Sequence, residues 1–276
     1  MAILVENKNM GGGHWYQPDG TPLHQVPKAD GKGMRDTTLA DAKKLGLLPS
    51  VTGITDIVAK PALMNWKAAQ VAAAAFESPP TGDESAEYFI ERVINASHHQ
   101  VAGAADLGSK VHDALEKLLT EGPDAIAEDM WAYVAPVVAW KKEAKITYDQ
   151  IENVLVNLEI GYAGRCDVLG HDAAGAPVII DYKTRKTKPK QVCKPYDTQG
   201  MQLAAYAVAH YGLDRLPEVK AWNVYISTTE VGRVEGYQHE SLLPHWEAFK
   251  AAAILWSHIK GYDPRRPAFT TLKEAA

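Results

Sequence analysis

The chain predicts an α/β (α+β) fold: a central mixed β-sheet flanked by helices, with mainly helical segments inserted before the sheet. Three observations predict it. From Pro61 to about residue 144 the pattern is helical; from residue 151 it changes to the two-residue period of strands. After residue 183 one helix, two strands and a last helix follow, which places helices on both sides of the strand run in the chain. The length of 276 residues suits a single domain over 1–276 with a large buried core, and no second domain is required.

Residues 1–49 read as loosely organised. His14-Trp15-Tyr16-Gln17 and Leu23-His24-Gln25-Val26 flank Pro18-Asp19-Gly20, turn chemistry that predicts a small hairpin, and the polar stretch 28–36 predicts a loop. The part over 50–145 is mainly helical. Pro61 suits a first helical turn, and residues 62–76 are alanine-rich, with Trp66 and Val71 for packing. Three further helices are predicted over 83–100, 103–120 and 124–144, the last two separated by Gly122-Pro123. The part over 146–276 carries the sheet, with strands at 151–160, 162–169 and 178–182, the second and third joined by a hairpin loop at 171–176. A helix at 198–211, strands at 219–227 and 231–238 and a helix at 242–260 complete the order.

Composition excludes several classes. Hydrophobic residues at 46% and charged residues at 23% are ordinary for a globular chain. The net charge of -5 gives no global sign of nucleic-acid binding, so any such contact must come from a local basic patch. Cys166 and Cys193 are too few for a four-cysteine zinc or iron–sulfur site, and reduced thiols are expected. The opening Met1-Ala2-Ile3-Leu4-Val5-Glu6 is too short for a signal sequence, and no window approaches the ~18 apolar residues of a membrane span. A cytoplasmic protein is the expectation.

The informative segment runs from Gly161 to Lys183. Asp167 lies in an apolar strand context; Asp181 closes the run Val178-Ile179-Ile180, with Lys183 two positions on. Residues i and i+2 of a strand face one side, so Asp181 and Lys183 project together, and pairing through the 171–176 loop brings Asp167 beside them. Adjacent carboxylates repel unless a cation lies between them, and hard oxygen ligands suit Mg²⁺ or Mn²⁺. Such a cation activates water and offsets charge on a phosphate; the lysine would orient or deprotonate that water or offset charge itself. Alone, a strand-end Asp is a turn former and Asp-x-Lys a surface ion pair.

The flanking motifs decide between these readings. Gly108-Ser109-Lys110-Val111-His112-Asp113-Ala114-Leu115-Glu116, Gly164-Arg165-Cys166-Asp167, Asp181-Tyr182-Lys183 and Gln202-Leu203-Ala204-Ala205-Tyr206 follow one another with fitting secondary structure. Together they resemble the histidine helix, glycine-x-x-aspartate strand, acid-x-lysine strand and glutamine-x-x-x-tyrosine helix of the PD-(D/E)xK nucleases, in the RecB-like, phage-type exonuclease branch. Leu48-Pro49-Ser50-Val51-Thr52-Gly53-Ile54, then Lys60-Pro61-Ala62-Leu63 and Trp66, resemble the leader of the phage exonucleases. The resemblance spans roughly residues 48–206 and implies a restriction-endonuclease-like fold.

It further implies metal ligation by His112, Asp167, Asp181 and the Tyr182 backbone carbonyl, with Lys183 as the catalytic lysine. Gln202 and Tyr206, one helical turn apart, would support the site and the DNA backbone. Cys166 stands where the name motif has proline, and the acid before the lysine is Asp rather than Glu. Glu152 is preferred to Glu159 as a further acidic ligand. The cluster-free form, without iron–sulfur, is the one that two cysteines allow.

Lys183, Arg185, Lys186, Lys188, Lys190 and Lys194 fall just beyond this site and suit guidance of a polyanionic strand. Arg165, Ser50 and Thr52 are further candidate DNA contacts, and Trp15, Tyr16 and Trp66 are candidates for stacking on bases. The expected activity is Mg²⁺- or Mn²⁺-dependent exonucleolytic hydrolysis of DNA, single- or double-stranded, in phage or bacterial recombination, replication or repair. A recombination or replication protein is a conceivable partner, and the oligomeric state is open. Alternatives are a structure- or site-specific endonuclease of the same fold and a catalytically silent DNA-binding recombination partner.

Overall fold

The N-terminal segment is more ordered than its composition predicts. The computed structural model describes residues 14–265, and of residues 98–105 the backbone alone. β1 (Trp15–Tyr16) is followed by the expected turn at Asp19-Gly20, but its ladder partner lies further along the chain. β2 (Gln25–Pro27) pairs with β3 (Met34–Asp36), so the end of the predicted 28–36 loop is a strand. α1 (Leu39–Leu45) starts at a capping box of Thr38 and Asp41 and ends at Gly46, left-handed at φ 66°. β4 (Leu48–Pro49) then pairs antiparallel with β1, and α2 (Val51–Thr55) is capped by Ser50. The expectation of a loose segment over 1–49 is therefore corrected for residues 14–49; residues 1–13 lie outside the described residues. Trp15 and Tyr16 are buried, and Trp15 packs edge-on against Trp256 at 6.2 Å. They are core residues, and the stacking role expected of them is corrected.

α3 (Pro61–Glu77) falls where the alanine-rich run predicts it. α4 (Ala86–Thr120) is one 35-residue helix where two were expected. The single Gly103 between them costs only ~1 kcal/mol against alanine, too little to break a helix flanked by alanines and free of proline. α5 (Glu128–Ala144) ends at Lys145, whose left-handed φ of 54° turns the chain into the sheet. Among the described residues no helix is long and apolar enough to cross a membrane.

Five strands form the central sheet in chain order. β5 (Ile146–Asn157), β6 (Tyr162–Asp172) and β7 (Pro177–Arg185) are an antiparallel meander, with β5 beginning before the expected residue 151. The turn from β6 to β7 is held by Asp172, whose carboxylate accepts from the amides of Ala174 and Ala176. α6 (Asp197–Tyr211) then crosses over so that β8 (Lys220–Ser227) lies parallel to β7, and β9 (Val234–His239) closes the edge antiparallel. α7 (Leu243–Lys260) follows.

Each face of the sheet has its own core. Leu155, Tyr162, Cys166, Ile179 and Ala221 pack with α2, α6 and α7, and Val168, Val178, Ile180, Tyr182, Val224 and Ile226 with α4 and α5. Each fully buried aliphatic side chain contributes ~1.5–3 kcal/mol. The mixed sheet flanked by helices is the architecture the sequence predicts, consistent with a restriction-endonuclease-like fold.

Candidate active site

The site lies where β6 and β7 part. Their pairing runs from His171↔Pro177 to Val168↔Ile180 and stops, one residue short of both Asp167 and Asp181. Beyond the fork Tyr182 has lost the strand partner on that side, and its backbone groups need others. Asp167 Oδ2 accepts from the Tyr182 amide at 2.7 Å, and His112 Nε2 donates to the Tyr182 carbonyl at 2.9 Å. A carboxylate from β6 and an imidazole from α4 thus stand in for the missing strand. Gly108, one turn before His112, lets α4 lie this close: a Cβ there would be 2.8 Å from Thr184 Oγ1 on β7.

Strand alternation settles which way the acid and the lysine face. Ile179 packs under α6, so Asp181 and Lys183 share its side, while Tyr182 faces α4 and meets the Tyr148 hydroxyl at 2.6 Å. Lys183 Nζ donates to Asp181 Oδ1 at 2.6 Å, and Asn223 on β8 donates to Asp181 Oδ2 at 2.8 Å. Asp181 is 1% exposed, so both oxygens depend on these donors.

Opposite Asp167 on β5, between the pairs Ile151↔Val168 and Asn153↔Cys166, Glu152 has a left-handed φ of 53°. Its carboxylate pairs with Arg165 at 2.8 Å, and Arg165 also reaches Glu116, one turn after His112 on α4, at 3.8 Å. Glu159 is exposed in the turn after β5.

The electrostatics follow from crowding acids in a partly dry fork. Loss of water, then the Asp181 charge, pushes Asp167 up to about 6, against the pull of Lys183 and His112. Glu152 is pushed up to about 7, by burial first and then by Asp167, with Arg165 opposing. Burial disfavours the Lys183 ammonium, but Asp181 and Asp167 outweigh it and hold the lysine above its ordinary value. Asp167, Asp181, Glu152 and Glu116 face two cations, Lys183 and Arg165, and the surplus is negative.

The donors suit a hard divalent cation in kind: two carboxylates, a carbonyl and an imidazole, gathered where negative charge is in excess. As placed, hydrogen bonds occupy them, and among the described residues no three His, Cys, Asp or Glu side chains are already arranged around a metal position.

Behind the fork, Gln202 and Tyr206 are buried on α6, with Gln202 Nε2 donating to the Tyr206 hydroxyl at 3.3 Å. Tyr206 lies against β6 at Gly164, where a Cβ would come within 2.8 Å of the ring. That contact explains the glycine three residues before Asp167.

The basic segment is a fastened loop. Arg185 donates to the Lys194 carbonyl at 2.5 Å and lies over the rings of Tyr196 and Tyr225. Arg233 on the approach to β9 bonds the carbonyls of Lys188 and Gln191, and Glu235 accepts from the Cys193 amide at 2.7 Å. Lys186, Lys188 and Lys190 remain exposed on it. Ser50 is buried, caps α2 through Gly53 at 2.9 Å and bridges to Ala163 on β6; Thr52 is exposed and Trp66 is half-buried on α3.

Sequence reasoning missed Asn223, Glu116 and Arg233. Glu116 was open to discovery from its spacing four residues after His112. Asn223 had only the signal of one amide inside the apolar run 219–226.

Residues 134–254 match the family model of the PD-(D/E)XK nuclease superfamily. The match contains Glu152, Asp167, Asp181, Lys183, Gln202 and Tyr206, and excludes His112 and the segment with Ser50, Thr52 and Trp66. No curated protein matches the chain. One solved structure, described as the crystal structure of SSO0001, is 19% identical, covers 54% of this chain and 66% of its own, and has a TM-score of 0.31.

Proposed function

We propose that this chain is a divalent-metal-dependent nuclease of the PD-(D/E)XK kind that hydrolyses DNA from its ends, as in the RecB-like, phage-type exonuclease branch, serving phage or bacterial DNA recombination, replication or repair. The observation that carries the reading is the fork itself, where Asp167, Asp181, Lys183, His112 and the Tyr182 carbonyl meet within a segment whose sheet portion matches the nuclease family.

In this reading Asp167, Asp181, the Tyr182 carbonyl and His112 hold Mg²⁺ or Mn²⁺, with Glu152 as a further acid. The bound cation would activate a water and offset charge on the scissile phosphate. Lys183, kept charged by the two aspartates, orients that water and meets the charge that builds at phosphorus. His112, which here donates to the Tyr182 carbonyl, and Asp181, which here accepts from Lys183, would be the side chains turned to the cation. Gln202 and Tyr206 brace β6 from behind. Lys186, Lys188 and Lys190 supply phosphate contacts on a ledge that Arg185 and Arg233 keep in shape. Arg165, between two acids, balances the site charge and lies exposed where a phosphate can reach it.

The test is digestion of end-labelled linear single- and double-stranded DNA beside a closed circle, with Mg²⁺, Mn²⁺ or EDTA. Metal-dependent loss of linear DNA with the circle intact is the expected result. Cutting of the circle would make the enzyme an endonuclease, and retention of DNA without cutting in either metal would make it a binding partner.

A further inference from the structure

We propose that Asn223, its amide held in one orientation by His239, fixes the Asp181 carboxylate for metal binding; the proposal rests on reading Asp181 as a ligand. Asn223 is Asp181's direct neighbour on the parallel strand β8 and is 0% exposed. Its Nδ2 donates to Asp181 Oδ2 at 2.8 Å, and its Oδ1 lies 2.8 Å from His239 Nε2.

A side-chain amide can turn over at little steric cost. Turned over here, Asn223 would set its oxygen against the carboxylate oxygen, two acceptors facing one another. The Asp181 carboxylate can only accept, so it takes the NH₂ group and turns the amide oxygen toward His239 Nε2. Burial, then His245, brings His239 down to about 4, so its ring is neutral near pH 7. In the tautomer protonated on Nε2 the ring donates to the amide oxygen and so holds the amide in that orientation.

His239 is itself wedged. His245 from α7 packs against it edge-on at 5.1 Å and Tyr237 at 5.2 Å. His245 in turn sits over Gly200 on α6, where a Cβ would come within 2.5 Å of its ring. A packed column therefore runs from α6 and α7 through His239 and Asn223 to one oxygen of Asp181, while Lys183 takes the other. Outer groups that orient a ligand in this way are worth 10–100-fold in metal affinity.

The experiment measures Mn²⁺ affinity by calorimetry on the full chain without DNA, and then kcat and KM for DNA. The variants are Asn223→Leu, His239→Phe, His239→Gln and Asp181→Ala. Asn223→Leu and His239→Phe are expected to weaken Mn²⁺ binding about 10–100-fold and lower kcat, with KM for DNA near wild type. His239→Gln, whose amide can donate again, is expected to recover most of the loss.

Wild-type Mn²⁺ affinity in folded Asn223→Leu and His239→Phe, with none in Asp181→Ala, overturns the positioning role and leaves the metal site standing. Undiminished Mn²⁺ binding in Asp181→Ala overturns both. If Asn223→Leu does not fold, the two His239 variants decide: equal affinities overturn the proposal.

Discussion

At the scale of single residues, Asp167 shows how far the fork departs from an ordinary sheet. Loss of water and then Asp181 raise its pKa to about 6 from an ordinary 3.8. A carboxyl raised in the folded state costs stability wherever the unfolded chain is ionised. The cost is absent below about pH 4, grows as pH rises and is complete above about pH 6, because the folded state binds more protons in that window. In EDTA the protein should therefore lose on the order of 3 kcal/mol from this group as pH rises through the window. Asp167→Asn keeps an oxygen for the Tyr182 amide and removes the cost. Denaturant unfolding in EDTA should find the variant more stable than wild type at pH 7, by about that amount, with a flatter pH profile. A less stable variant would contradict the account. Asp167, Asp181 and Lys183 were legible in the sequence because a period-two strand with charged residues at its end fixes which side chains share a face. Asn223 and His239 were not: one lone amide and one lone imidazole acquire meaning only when β7, β8 and β9 are placed side by side.

At the scale of elements, the meander, the crossover helix and the last helix were legible because each has its own period and turn residues. The length of α4 was not, since a lone glycine among alanines reads as a boundary and costs little within a helix. The pairing of β1 with β4 was hidden for another reason: two-residue strands leave no periodicity to detect. The basic loop was visible as charge, but its fastening was not. Arg185 and Arg233 spend their donors on its carbonyls and leave the lysines to solvent. A preordered ledge loses less entropy on binding a strand than a mobile one would. Lys186→Ala, Lys188→Ala and Lys190→Ala should each weaken DNA binding and lower the slope of log affinity against log salt by about 1. Titrations at several salt concentrations in EDTA measure this. An unchanged slope in all three would take the loop out of the DNA path.

At the scale of the whole molecule, a net charge of -5 and the proposed polyanionic substrate are reconciled by segregation. Acids gather in the fork, where a cation can neutralise them, and exposed lysines gather on the loop that follows β7. The two cores hold the sheet from both faces, so its parting between β6 and β7 is a local feature of a well-packed structure. If this parting is a cleavage site, the cleavage rate of end-labelled linear DNA in Mg²⁺ must depend on the acid and the lysine that line it. Wild type is compared with Asp181→Ala and Lys183→Ala, each first shown to be folded by circular dichroism. Cleavage by wild type that EDTA abolishes, and a fall of about a hundredfold or more in both variants, is the expected result. Folded variants that cut at the wild-type rate would contradict it.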